Sequence, residues 1–339
     1  MAAAHNEPSR AAGTAAENRS FKNASGLRAS CDVAGAAAVV TRLPPRRNPL
    51  NDLVACSARS PVKGSPSPPC RRLLWVGASS ATLEFRLAAA ETATILPMRE
   101  VPDVPSACEL PEADPPPTII CIAESRPGLV GFADVLALTR RWPLARVVSV
   151  ESCLADGRRR SGPRLPGVTC IAWHDFPARL RWWLATLDAG RPGSLGLPLT
   201  ARHEERWHRE AAAGLSEPPT VTVAAGSPAA VDAASDLVGT AGGTVVCRTV
   251  GRPPIADRSA WIVWDLHTRI ETELGWLRLL AGQRPGRGIV LLCSFPRGDA
   301  VAAAREAGAT AVLGRPADPE AVAGVLTAAI GLSASPADR

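Results

Sequence analysis

Three apolar runs in this chain end on side chains that could do chemistry. Trp261-Ile262-Val263-Trp264 ends in Asp265, Ile289-Val290-Leu291-Leu292 ends in Cys293-Ser294, and Ala311-Val312-Leu313 runs into Gly314-Arg315-Pro316. If the runs are neighbouring parallel strands, a carboxylate, a thiol beside a hydroxyl, and a guanidinium gather at one end of a sheet. That end is where parallel sheets place their ligands and their chemistry. Asp265 then has two roles open to it. It can react or hold a cation, or it can be a strand-end carboxylate that caps a helix or pairs with Arg315.

The elements around these residues support the parallel sheet. Short, fully apolar runs alternate with amphipathic stretches, the pattern of strands buried on both faces and covered by helices. Before the first run, Thr220-Val221-Thr222-Val223 reads as a strand. Ser227 reads as a helix cap with Pro228 in the first turn, and Val231, Ala234, Ser235 and Val238 read as that helix's inner face. Thr244–Val250 is the next strand. Leu274, Leu277 and Leu280 mark a helix after Asp265, a short helix ends at Glu306-Ala307-Gly308, and Asp318-Pro319 opens the last one.

The first half repeats this layout. "RRLLWVG", "TATILPM", "TIICIAES", "RVVSVES" and "GVTCIAW" read as five strands. Ser79 or Ser80 caps a helix with Leu83, Leu87 and Ala90 on one face, and the proline-rich stretch 101–117 reads as a loop. "VGFADVLALTRRW" and "DFPARLRWWLATL" read as helices. The expected organisation is a disordered tail over 1–70, one unit over 71–190, a linker with a helix over 191–217, a second unit over 218–332, and a short tail over 333–339.

Together, "WIVWDLH", "IVLLCS" and "EAGATAVLGRPADPEAV" resemble the receiver domain of bacterial response regulators. The resemblance implies two tandem flavodoxin-like α/β units, each a five-stranded parallel sheet with helices on both faces. It places Asp265 at the phosphoacceptor position, Cys293 with neighbouring Ser294 at the hydroxyl position, and Arg315-Pro316 at a Lys-Pro. The acidic pair that holds Mg²⁺ in that family falls on Ala224 and Ala225. In the first half Gly77-Ala78 take those places, Ala123 with Glu124 beside it takes the acceptor position, and His174 replaces the lysine.

Phosphoryl transfer to a carboxylate needs a cation on the phosphoryl oxygens, a hydroxyl and a fixed positive charge. Without the acidic pair Mg²⁺ has a single carboxylate, so only weak binding is expected, and no other cofactor. The expectation is a non-enzymatic signalling protein built of pseudo-receivers. It would act on other signalling proteins, among them a histidine kinase or another regulator. A genuine phosphorelay receiver using Asp265 and a small-ligand-binding α/β protein are the alternatives.

Composition sets further bounds. Net charge is +6, but the arginines are dispersed, which argues against a nucleic-acid partner. No apolar run approaches the roughly 20 residues of a membrane span, and MAAAHNEPSR lacks the apolar core of a secretory signal, so a cytoplasmic protein is expected. Nine cysteines form no C-x-x-C pair, and Cys121, Cys170, Cys247 and Cys293 read as small core residues. His203 and His208 flank Glu204 on the linker helix but stand five apart, roughly 140° around it, the wrong spacing for a zinc helix. The basic run 157–164 reads as a solvated loop. There is no P-loop, G-x-G-x-x-G or G-x-S-x-G motif.

Overall fold

The computed structural model of the protein describes residues 71–111, 115–155, 165, 167–191, 193–197 and 218–328. In its first half, β1 (Leu73–Val76), β2 (Met98–Val101), β3 (Ile119–Glu124), β4 (Arg146–Glu151) and β5 (Thr169–Ala172) form a parallel sheet in the order β2-β1-β3-β4-β5. In its second half, β6 (Thr220–Ala225), β7 (Thr244–Val250), β8 (Trp261–Asp265), β9 (Gly288–Cys293) and β10 (Ala311–Gly314) form another in the order β7-β6-β8-β9-β10. Both are the flavodoxin-like order, as the sequence led one to expect. The central strands carry the reason in their composition: Ile119, Ile120, Cys121 and Ile122 are buried, and so is every residue from Gly288 to Cys293.

The helices are α1 (Leu83–Ile95), α2 (Val104–Cys108), α3 (Phe132–Arg141), α4 (Phe176–Asp188), α5 (Pro228–Thr240), α6 (Ile270–Gln283), α7 (Gly298–Glu306) and α8 (Pro319–Ala328). α5 forms as its sequence dictates. The Ala230 N–H donates to Ser227 Oγ at 3.3 Å, Pro228 occupies the first turn, and Val231, Ala234, Ser235 and Val238 are buried.

Four local expectations are corrected. The stretch "TATILPM" is not a strand: α1 runs on to Ile95 and β2 begins at Met98. Pro97 explains the break, since the residue before a proline is driven to extended backbone, and Leu96 lies at φ −147°, ψ 139°. The cap of α1 is Thr82, whose Oγ1 accepts from the Phe85 N–H at 3.1 Å, while Ser79 binds Glu100. Its buried residues are Glu84, Phe85, Ala88, Ala89 and Thr92; of the expected face, Leu87 is half-buried against the core while Leu83 and Ala90 are exposed. Finally, the proline-rich stretch holds the short helix α2. Asp103 caps it, and Pro105 sits in its first turn, where a missing N–H costs nothing.

The two halves are joined by packed side chains. One hydrophobic cluster includes Trp75, Phe85 and Trp183 from the first half and Trp264, Val322 and Leu326 from the second. α4 crosses α8 at Gly324, where a Cβ would lie 1.8 Å from the Ala178 carbonyl oxygen. Around that crossing Arg179 pairs with Asp318 at 2.9 Å and with Glu320 at 2.7 Å, and Trp183 Nε1 donates to Glu320 at 3.0 Å. Glu91 of α1 receives Arg181 at 2.7 Å and also Arg305 of α7. Burial raises the Asp318 carboxyl above its ordinary value, against the pull of Arg179.

Residues 1–70, the linker helix with His203 and His208, the basic run 157–164 and the end of the chain lie outside the described residues. Cys121 and Cys293 are buried and Cys170 and Cys247 half-buried. Among the described residues no helix is long and apolar enough to cross a membrane.

Candidate functional site

Strand register alone brings Asp265 to its neighbours. β8 pairs with β6 and β9, so Asp265 stands beside Ala225 on one side and Leu292 on the other. One strand further, Gly314 stands beside Cys293. The next residue, Arg315, turns back over the strand ends. Its Nη1 lies 3.0 Å from Asp265 Oδ1 and its Nη2 donates to the Leu266 carbonyl at 2.8 Å. The first contact is an ion pair without hydrogen-bond alignment, for Asp265 Oδ1 makes no hydrogen bond among the described residues. The peptide bond from Arg315 to Pro316 is cis.

Burial governs the electrostatics. It pushes the Asp265 carboxyl above its ordinary value, with Arg315 and then His267 pulling the other way. Cys293, buried behind the same strand ends, has its thiol pushed up to about 12 by burial, Arg315 opposing. The thiol therefore stays protonated and does not act as a nucleophile at neutral pH. Ser294 is exposed one residue past the end of β9, and no hydrogen bond joins it to Asp265 or Arg315 among the described residues. Asp265, Cys293 and Arg315 thus lie at one end of the sheet, with Ser294 exposed beside them.

Two residues of this site escaped the sequence reading. His267 lies over Gly226, where a Cβ would meet the ring at 2.6 Å. Asp175, from the first half, accepts the Gly314 N–H on Oδ1 at 3.2 Å. Gly314 belongs to the edge strand β10, so this bond satisfies an edge donor that the sheet leaves unpaired. His174 holds Asp175 through Nδ1 at 2.8 Å and packs on Gly314, where a Cβ would fall 2.5 Å from the ring. Only a long-range contact reveals this: nothing in the local pattern of "WHDFP" separates it from an ordinary loop.

At the strand ends of the first sheet, Gly77 and Ala78 follow β1, and Ala123 precedes Glu124. Glu124 is buried and accepts from the Gly128 N–H at 3.1 Å and Ser149 Oγ at 3.0 Å, opposite Glu151 in register. Its carboxylate is held as an internal hydrogen-bond acceptor. Among the described residues no three His, Cys, Asp or Glu side chains are grouped to hold a metal ion.

No protein family matches the sequence, and no curated protein matches it. Solved structures similar to parts of the chain do exist. A pilus assembly-related protein of Burkholderia pseudomallei K96243 is 24% identical, over 33% of this chain and 90% of its own, with a TM-score of 0.31. A Burkholderia pseudomallei response regulator, solved with a phosphorylated aspartic acid, is 21% identical over 35% of this chain and 73% of its own, at a TM-score of 0.29. The C-terminal region of E. coli RcsC, with its linker and phosphoreceiver domain, is 16% identical over 82% of this chain and all of its own, at a TM-score of 0.30.

Proposed function

We propose that the chain is a non-catalytic signalling protein whose two receiver-like units act by binding other proteins, without phosphoryl transfer. One observation carries this reading: the carboxylate at the strand end, Asp265, is paired with Arg315 at 3.0 Å and its register neighbour is Ala225. A divalent cation arriving there meets one carboxylate already engaged by a guanidinium. Hard cations need several oxygen ligands, with one or two free carboxylates among them. In the first unit the corresponding position is Ala123, and the carboxylate beside it, Glu124, is buried and engaged by the Gly128 N–H and Ser149 Oγ. Enzymatic activity and a bound cofactor are no part of this reading, and soluble signalling partners such as a kinase or another regulator are.

A second reading, a phosphorelay receiver using Asp265, is favoured by one feature: Arg315 stands where a cation would face an acyl phosphate. Calorimetric titration with Mg²⁺ separates the two. The first reading expects binding at millimolar levels or weaker, unchanged in Asp265→Asn. Tight binding that vanishes in Asp265→Asn supports the second.

A further inference from the structure

We infer that the first half binds a small cationic ligand with an apolar body, in the cleft at the carboxyl end of its sheet. The cleft measures about 320 Å³, within the range of small-molecule sites. It opens between the ends of β1 and β3. There the chain leaves β1 toward β2 on one side and leaves β3 toward β4 on the other, the point at which open parallel sheets take their ligands.

Small residues make the space. Gly77 has φ +112°, and a Cβ there would come 3.0 Å from the Ala123 Cβ, so the floor is closed by a glycine against an alanine. The walls are apolar: Val76, Phe85 and Ile122 are buried, and Leu129, 46% exposed, stands at the mouth. Two carboxylates line the cleft, Asp103 and Asp134, and none of its lining residues is Lys, Arg or His. This local negative charge stands out in a chain of net charge +6.

Both carboxylates are held in place before any ligand arrives. Asp103 Oδ1 accepts the Ser106 N–H at 2.8 Å, and Asp134 Oδ2 accepts the Gly131 N–H at 2.8 Å. The bonds from Ser106 hold the Asp103 carboxyl below its ordinary value, so it is ionised at neutral pH. An apolar chamber between two fixed negative charges repels phosphate and carboxylate ligands. It suits an amine or amidine on a hydrocarbon body. This site is separate from Asp265 and its fate does not depend on the reading of that residue.

The test is calorimetric titration of the full chain with phenethylamine and with phenylacetate, which share an apolar body and differ in charge. Phenethylamine should bind once, with a Kd of about 1 mM or tighter, the reach of a ligand this small, and phenylacetate should not bind. Ala123→Leu fills the floor and should abolish binding. Because that change touches the core, Leu129→Arg is the companion variant: it places a cation at the exposed mouth and should weaken phenethylamine roughly tenfold or more through like-charge repulsion. Equal binding of the two probes, no saturable binding of phenethylamine, or unchanged affinity in a folded Leu129→Arg would overturn the assignment.

Discussion

At the scale of single residues, Asp265 is the informative position, because its two environments pull in opposite directions. Burial favours the neutral acid and Arg315 favours the carboxylate, with burial the larger effect. A carboxyl whose folded pKa is raised binds protons more readily folded than unfolded. Its contribution to stability is therefore greatest in acid and falls as pH rises from its ordinary value of 3.8 through the raised one. Asp265→Asn is neutral throughout, so its stability relative to the parent should improve as pH rises from acid to neutral. Urea unfolding of both proteins between about pH 3.5 and 7 measures this, and a variant that loses ground with rising pH would mean that the Arg315 pair outweighs burial. Cys153 gives a second residue-scale prediction. It is exposed, yet its thiol is pushed up to about 11, by partial burial first and then by Glu84. It should alkylate slowly at pH 8 in the native state and quickly in urea. Asp265, Cys293 and Arg315 were legible as a cluster because each ends an apolar run. His267 and Asp175 were not, since their roles come from contacts rather than from spacing.

At the scale of elements, the strands were read well wherever β-branched and apolar residues ran together, as in β3, β8 and β9. The reading failed at α1, where "TATI" has strand-like composition but continues the buried helical face of Ala88 and Thr92. There tertiary burial overrode local propensity. The crossing of α4 and α8 was not legible either: Arg179 and Glu320 look like surface charges in the sequence, and Gly324 looks like a weak point in a helix. Each is explained by the opposing helix. Gly324→Ala places a methyl group where the Ala178 carbonyl oxygen lies, and overpacking of this kind should cost about 1–3 kcal/mol. Arg179→Met leaves Glu320, buried at 1% exposure, without its cation, a loss of about 3–5 kcal/mol for a broken buried pair. Denaturant midpoints of the two variants check both values. A change under about 0.5 kcal/mol in either, the range of an ordinary surface substitution, would show that the crossing is looser than its contacts imply.

At the scale of the whole molecule, the duplicated layout was visible in the sequence, and the way its halves are joined was not. The sequence reads as two units joined by a linker; in the folded chain apolar residues of α4 and α8 belong to one cluster. Unfolding should accordingly show a single cooperative transition when followed by fluorescence of the buried tryptophans and by circular dichroism together. The same junction reaches the candidate site, for Asp175 of the first half binds Gly314, one residue before Arg315. The strand end that carries Asp265 is thus closed on one side by Arg315 and steadied by the other half of the chain, an arrangement suited to a fixed binding surface. The most direct measurement is the intact mass of the full chain after incubation with acetyl phosphate and Mg²⁺, beside Asp265→Asn treated identically. The account predicts the same unmodified mass for both; an added phosphoryl group on the parent that is missing from the variant would contradict it.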